Sequence, residues 1–152
     1  MAMPEDKKTF DGFDQQFGVN HLAHFTLTAL LLSVLLKSGT PSFNSSVVLI
    51  RQLPDINFTG AYNPWVAYVQ SKTAKIWMAN YIDRVYGSRG IHANSVRPDG
   101  ILTALHQHVS PEMALAWQQN AALQASLRSP EQGAATTMWA ATAGIWEGKG
   151  GK

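Results

Sequence analysis

The sequence contains no cysteine, which excludes disulfide bonds, cysteine-zinc sites and thiol catalysis. The excess of positive over negative charge is also small. The sequence has 12 Lys and Arg residues and 10 Asp and Glu residues, and no basic run is longer than Lys7-Lys8. A nucleic-acid-binding protein usually carries a clustered basic patch, so we expect no nucleic-acid partner. Because the absence of cysteine is compatible with a reducing compartment, we expect a cytoplasmic protein.

Long uninterrupted hydrophobic runs are absent as well. The most apolar window, Val19 to Leu36, is broken by polar residues, so we expect a buried helix and no membrane span. Residues Met1 to Lys8 lack the apolar stretch of a signal peptide. With 152 residues, 45% of them hydrophobic, the chain suits a single globular domain over residues 1–152.

The hydrophobic pattern predicts helices that alternate with short strands. Apolar residues at helical spacing and β-branched runs between turn residues support this assignment. The helices are predicted at about 11–37, 64–86, 111–127 and 130–143, and the strands at 45–50 and 91–96. Such alternation is typical of an α/β fold with parallel strands and right-handed crossovers. Two strands are too few for a self-sufficient parallel sheet.

Tyr68 and Lys72 are the first candidates for chemistry. Residues four apart on a helix share one face, about one turn from each other. An ammonium group near a phenol favours the phenolate, so we expect Lys72 to lower the pKa of Tyr68. A phenol tuned in this way can give or take a proton beside a carbonyl group.

Four sequence segments together resemble the short-chain dehydrogenases/reductases, in particular the branch of retinol dehydrogenases and WW-domain oxidoreductases. They occur in the order and at the spacing of that family, and the resemblance covers nearly the whole chain. The segments are Phe17-Gly18-Val19-Asn20-His21-Leu22-Ala23-His24-Phe25, Tyr68-Val69-Gln70-Ser71-Lys72, Val96-Arg97-Pro98-Asp99-Gly100-Ile101-Leu102-Thr103 and Ser129-Pro130-Glu131-Gln132-Gly133-Ala134.

The resemblance implies roles for four residues. Tyr68 matches the general acid/base of the family. Lys72 matches the lysine that lowers the tyrosine pKa and binds the nicotinamide ribose. Asn20 matches an asparagine that holds a proton-relay water, and Thr103 matches the threonine that usually touches the cofactor carboxamide.

The chain departs from the family pattern at the cofactor site. The family begins with a strand, a Gly-rich turn and a helix that cradle the pyrophosphate, and the sequence has no such unit. The one Gly-x-x-x-Gly-x-Gly, residues 144–150, has no strand before it and no helix after it, so we interpret it as a chance match. We therefore expect a truncated Rossmann-like fold, limited to the C-terminal half and ending before the last strand, with no nicotinamide cofactor and no hydride transfer.

Substrate contacts are predicted from further departures. Where the family has its catalytic serine, this sequence reads Ile50-Arg51-Gln52, and the amide of Gln52 could act as a donor to a carbonyl. Asp99 replaces a family glycine and places a carboxylate near the expected nicotinamide position. With Tyr62 and Trp65, which flank the start of the Tyr68 helix, these residues are our candidates for substrate binding.

Histidines offer no convincing metal site. His21 and His24 have the i, i+3 spacing that can bind a metal, but no third ligand is evident, so we expect no metal. Packing in the core or at an interface explains them better.

Three functions remain open. We favour a cofactor-independent isomerase, dehydratase or cyclase that acts on a small apolar carbonyl or hydroxy compound through Tyr68 and Lys72. The alternatives are a fragment of an NAD(P)-dependent oxidoreductase that is inactive alone, and a non-catalytic binding or partner subunit. The long apolar helices at 11–37 and 64–86 predict a homodimer, because a monomer rarely exposes so much apolar surface.

Overall fold

The computed structural model describes residues 7–39 and 62–152, and this part of the chain is mainly helical. The first helical stretch contains α1 (Gln15–Phe17), a π-helix (Gly18–Leu22) and α2 (Ala23–Ser38). It is followed by α3 (Pro64–Tyr86), α4 (Pro111–Gln119), α5 (Ala121–Ser126) and α6 (Pro130–Thr142). Short 3-10 turns occupy Gly87–Arg89, Ala104–His106 and Gly144–Trp146.

Helix α3 confirms the predicted bounds. The Asn63 side chain accepts hydrogen bonds from the backbone N–H groups of Trp65, at 2.9 Å, and Val66, at 3.2 Å. Pro64 occupies the first turn, where a missing N–H costs nothing. Beyond the other end, Gly90 turns the chain with a φ of 78°, in the left-handed region that favours glycine.

The predicted helix at 11–37 differs from the observed one. It begins at Gln15, where the Asp14 side chain caps it by accepting from the Phe17 N–H at 2.8 Å. It then widens into a π-helix over Gly18–Leu22, which inserts an extra residue into the turn. Periodicity cannot reveal such an insertion, because the flanking turns keep the ordinary apolar spacing.

The predicted helix at 111–127 is two helices. The backbone of Asn120 leaves the helical region, with a φ of −83° and a ψ of 96°, and its side chain caps α5 by accepting from the Leu123 N–H at 3.0 Å. The start of α6 is confirmed, since Ser129 and Gln132 form the expected capping box.

Strand pairing is sparse in residues 7–39 and 62–152. They hold two isolated bridges, antiparallel between Lys8 and Asp14 and parallel between Ile101 and Arg128, but no longer ladder. The predicted strand at 45–50 lies outside the described residues, and the prediction at 91–96 is not confirmed as a strand. That segment instead runs beside the C-terminal residues, where the Gly151 N–H donates to the Ala93 carbonyl at 2.8 Å.

Helices α2 and α3 enclose the core from one side. Its buried residues come from α3 and the following segment, and leucines of α2 pack against them. The cluster contains Met78, Ala79, Ile82, Ile91 and Ala93, with Leu32, Leu35, Leu36, Ile76 and Tyr86 around it.

The rest of α2 is not buried, contrary to the prediction. The continuous helix Gln15–Ser38 has the length and composition of a membrane-spanning helix, and none of its apolar window is buried among the described residues. Leu30, for example, is 73% exposed.

Candidate active site at the Asn20, Tyr68 and Lys72 side chains

The π-helix contacts α3 through a direct hydrogen bond. Asn20 donates from Nδ2 to Ser71 Oγ at 3.0 Å, and Ser71 Oγ donates to the Tyr68 carbonyl at 2.6 Å. Ser71 is fully buried, so this contact fixes the two helices at the level of Tyr68. A π-turn is frequent at functional sites because it displaces one side chain from the regular helical position, and here that residue range includes Asn20.

Tyr68 and Lys72 lie together as the spacing predicts. The Lys72 Nζ stands over the Tyr68 ring, 5.3 Å from its centroid. In the part of the chain that the structure describes, neither the phenol hydroxyl nor the ammonium has a hydrogen-bond partner. Two adjacent, half-buried polar groups are therefore available to a ligand.

The predicted lowering of the Tyr68 pKa is wrong for this structure. Burial raises the pKa of Tyr68, because it disfavours the phenolate. Burial also lowers the pKa of Lys72 by disfavouring the ammonium. The ammonium contacts the face of the ring, and its charge does not offset the burial of the hydroxyl.

Tyr62 and Trp65 occupy different environments. The Tyr62 hydroxyl donates to Asp14 Oδ2 at 3.2 Å and accepts from Gln16 Nε2 at 3.3 Å, which ties the first helix to the start of α3. Trp65 instead makes an edge contact with Trp117 of α4, at 5.9 Å between ring centroids. Trp65 thus faces the wall of a cavity, whereas the Tyr62 hydroxyl is engaged in a structural network.

That cavity was not predicted from the sequence. It has a volume of about 230 Å³ and is mostly apolar. Its walls come from the segment after Pro98 and from α4 and α5, and they contain Gly100, Leu102, His106, Trp117, Leu123, Gln124 and Leu127. The signal in the sequence was Asn120, a capping residue that allows α5 to turn back against this segment.

Asp99 and Thr103 lie at the edge of the same segment. Asp99 has a φ of 64° and ionic contacts from Arg97 Nε at 3.5 Å and Arg128 Nε at 4.0 Å. The Thr103 hydroxyl caps the 3-10 turn by accepting from the Leu105 N–H at 3.3 Å. Gln52 lies outside the described residues. The predicted roles of all three in ligand binding stay predictions.

Lys75 is a charged residue that the sequence analysis missed. It lies one turn beyond Lys72 on the same face of α3 and is only 7% exposed. Burial and the nearby charge of Lys72 lower the pKa of Lys75 to about 8. His21 and His24 lie close to it. Among the described residues, no group of three or more His, Asp or Glu side chains is placed to hold a metal.

Comparison with known proteins identifies the relatives of the chain. A family model described as enoyl-(acyl carrier protein) reductase matches residues 4–144. The short-chain dehydrogenase/reductase prx1 of Penicillium roqueforti is 47% identical over 99% of this chain and 47% of its own length. The oxidoreductase calI of Penicillium decumbens is 39% identical over 95% of the chain and 46% of its own. A human polyprenol dehydrogenase is 35% identical over 99% of the chain and 48% of its own.

These relatives correct two expectations. They are named dehydrogenases, reductases and oxidoreductases, which favours redox chemistry over the isomerase, dehydratase or cyclase that we expected. The prediction that no cofactor is involved is wrong, because relatives of this kind depend on NAD(P) and a cofactor is expected throughout the family.

The match extends over nearly all of the chain, while the chain spans about half the length of the curated relatives it matches. The family has a Rossmann-like α/β fold, as the sequence predicts. Tyr68 and Lys72, which resemble the tyrosine and lysine motif of the family, lie together in the structure. The chain belongs to the short-chain dehydrogenase/reductase family.

Proposed function

We propose that this chain carries the acid/base part of an NAD(P)-dependent oxidoreductase that interconverts an apolar alcohol and its carbonyl product. The observation that carries the proposal is the pairing of Tyr68 and Lys72. The Lys72 ammonium lies over the Tyr68 ring, and both side chains are half-buried and without a hydrogen-bond partner among the described residues. Family membership then supplies the chemistry for which such a pair is suited.

Tyr68 moves the proton in this proposal. Burial keeps the Tyr68 phenol protonated at neutral pH, so it can donate a proton to a carbonyl oxygen and become phenolate. In the opposite direction the phenolate would accept the proton of the alcohol, and burial disfavours this form. The ammonium of Lys72 stands over the ring and stabilises the negative charge that develops on the phenol. Asn20 fixes the backbone at Tyr68 through its hydrogen bond to Ser71.

The described residues fit the nicotinamide end of the cofactor. The Lys72 ammonium is a donor group next to Tyr68 and can hold the ribose hydroxyls. When bound, the nicotinamide supplies or accepts the hydride. The glycines at 144–150 do not fit the pyrophosphate, because Gly150 packs directly against the carboxylate of Asp83. The proposal therefore assigns pyrophosphate binding to no described residue of this chain.

The substrate class follows from the apolar cavity. Trp65 contacts Trp117 in its wall, and Trp65 lies one turn before Tyr68 on α3. The apolar wall of the cavity suits a hydrocarbon chain. The name of the human relative, polyprenol dehydrogenase, agrees with a long apolar alcohol.

A substitution of Tyr68 tests the proposal. Tyr68→Phe removes the proton but keeps the ring, and Tyr81→Phe is the matched control because Tyr81 is 51% exposed on the same helix. We expect Tyr68→Phe to reduce NAD(P)-linked oxidation of an isoprenoid alcohol by about a hundredfold or more. Tyr81→Phe should retain the activity. Equal activity of both variants would refute the role of Tyr68.

We also propose that α2 and α3 form a homodimer interface. Both helices expose large apolar side chains, among them Leu30 at 73% and Trp77 at 47%. Burying such a surface against a second copy would stabilise the chain at roughly 25 cal/mol per Å².

A further inference from the structure

Helices α2 and α3 run side by side in the same direction. Gln16 contacts the Pro64 carbonyl at 2.8 Å, Asn20 contacts Ser71 at 3.0 Å, and leucines from the end of α2 pack around Ile82. The residues one turn beyond Asn20 and Ser71 therefore lie at one level. On the first helix that residue is His24, and on α3 it is Lys75.

Four basic side chains gather at this level. Lys72 and Lys75 come from adjacent turns of α3, and His21 and His24 come from the π-helix and the start of α2. The charge of Lys75 acts on both histidines and, together with burial, lowers their pKa values. No carboxylate is among the groups that act on these four residues in the described part of the chain.

Most of Lys75 is buried, since the residue is 7% exposed, and the described residues give its ammonium neither a hydrogen bond nor an ion pair. His21 Nδ1 is buried without a partner. A charge that is largely removed from water is normally paired, because burying it is otherwise costly.

We propose that the Lys75 ammonium, with His21 and His24 from the facing helix, forms a binding site for a phosphate-type oxyanion. The site offers the ammonium of Lys75 and one N–H donor from each neutral imidazole, and no carboxylate of the described residues acts on these groups. A ligand with negative charge and acceptor atoms suits it. A phosphate carries up to two charges above a pKa of about 6 and offers several acceptor oxygens, whereas a carboxylate carries one charge. Lysine is a frequent ligand of phosphate in proteins.

This site goes beyond the proposed oxidoreductase function and does not depend on it. Lys72 remains at the edge of the oxyanion site, with its ammonium over Tyr68. The phosphate could be free in solution or belong to the nicotinamide dinucleotide. Competition between inorganic phosphate and NAD(P) distinguishes the two sources.

The experiment measures thermal unfolding of the 152-residue chain with inorganic phosphate, against sodium chloride at equal ionic strength. Lys75→Met removes the charge and keeps the length of the side chain. Lys37→Met, at the exposed end of α2, is the matched control. We expect phosphate to stabilise the wild type and Lys37→Met alike, with at least about a tenfold weaker apparent affinity in Lys75→Met.

The dependence on pH gives a second readout. Phosphate binding should weaken between about pH 7 and about pH 9.5 as Lys75 loses its proton, and Lys75→Met should lack this change. An equal phosphate effect in wild type and Lys75→Met would overturn the proposal. So would an effect no larger than that of chloride. Loss of the phosphate effect when NAD(P) is present would support the site and assign its phosphate to the dinucleotide.

Discussion

Asn20 Nδ2 donates a hydrogen bond to Ser71 Oγ across 3.0 Å, and this bond joins the π-helix to α3 at the level of Tyr68. Ser71 in turn donates to the Tyr68 carbonyl at 2.6 Å. Asn20 thus acts on the site through Ser71 and fixes the backbone that carries Tyr68. In this structure its amide is a positioning group.

Removing this bond should lower stability. We expect Asn20→Ala and Ser71→Ala each to reduce the free energy of unfolding by about 1 kcal/mol, because each leaves a polar group without its partner. The double variant should lower the free energy of unfolding by less than the sum of the two single losses. Urea unfolding measures the free energy of unfolding of the two single variants and the double variant. Asn80→Ala, at an exposed position of α3, is the control and should leave it unchanged. Strict additivity would show that the two side chains do not interact.

Lys75 should make stability depend on pH. Its pKa is lowered to about 8 in the folded chain, from 10.5 when unperturbed, so the unfolded state binds more protons between these values. The cost of burying the charge is complete below about pH 8 and is lost as pH rises towards 10.5. Wild type should therefore gain stability relative to Lys75→Met from about pH 8 to about pH 10, by up to about 3 kcal/mol. A constant difference in urea midpoints over this range would contradict the prediction.

Tyr68 should titrate above its ordinary range. Burial raises the pKa of Tyr68 above 10.0, so the unfolded state loses this proton first as pH rises. The contribution of Tyr68 to stability is present below pH 10 and decreases above it. Absorbance titration of tyrosinate in wild type and Tyr68→Phe isolates this group. A midpoint below 10 in the difference curve would instead support the lowering that we expected from Lys72.

Asp99 is held in a conformation that favours glycine. Its φ of 64° lies in the left-handed region, and its ionic contacts with Arg97 and Arg128 are solvent-exposed and therefore weak. We expect Asp99→Gly to raise the free energy of unfolding by about 1 kcal/mol. Asp99→Ala should lower it, since alanine tolerates this region less well than aspartate. Chemical denaturation of both variants distinguishes two causes. Relief of backbone strain would change the free energy of unfolding in opposite directions in Asp99→Gly and Asp99→Ala, whereas loss of the carboxylate would change it in the same direction in both.

The apolar surface of α2 and α3 should form a dimer. We expect the wild type to be a dimer by light scattering and Leu30→Glu, in the middle of the exposed face of α2, to be a monomer. Leu115→Glu on α4 is the matched control, since Leu115 is 54% exposed on another helix, and it should remain dimeric. A monomeric wild type would exclude the interface.

Helix boundaries could be predicted from the sequence where short local motifs, such as capping residues, determine them. The capping residues Asn63 and Ser129 and the prolines that follow them fix the starts of α3 and α6. The π-helix and the break at Asn120 escaped prediction, because neither changes the apolar spacing by which helices are recognised. The segment at 91–96 has a strand-like sequence, but pairing depends on neighbours that the pattern does not specify.

The candidate site also has features that the sequence predicts and features that depend on tertiary packing. The sequence by itself determined the family and the pairing of Tyr68 with Lys72, because residues four apart on a helix must share a face and the surrounding motifs identify the family. Only the tertiary structure decided the sign of the Tyr68 pKa shift, the bond from Asn20 to Ser71 and the burial of Lys75. Those properties depend on which side chains and how much water surround a group, and they arise only when α2 packs against α3.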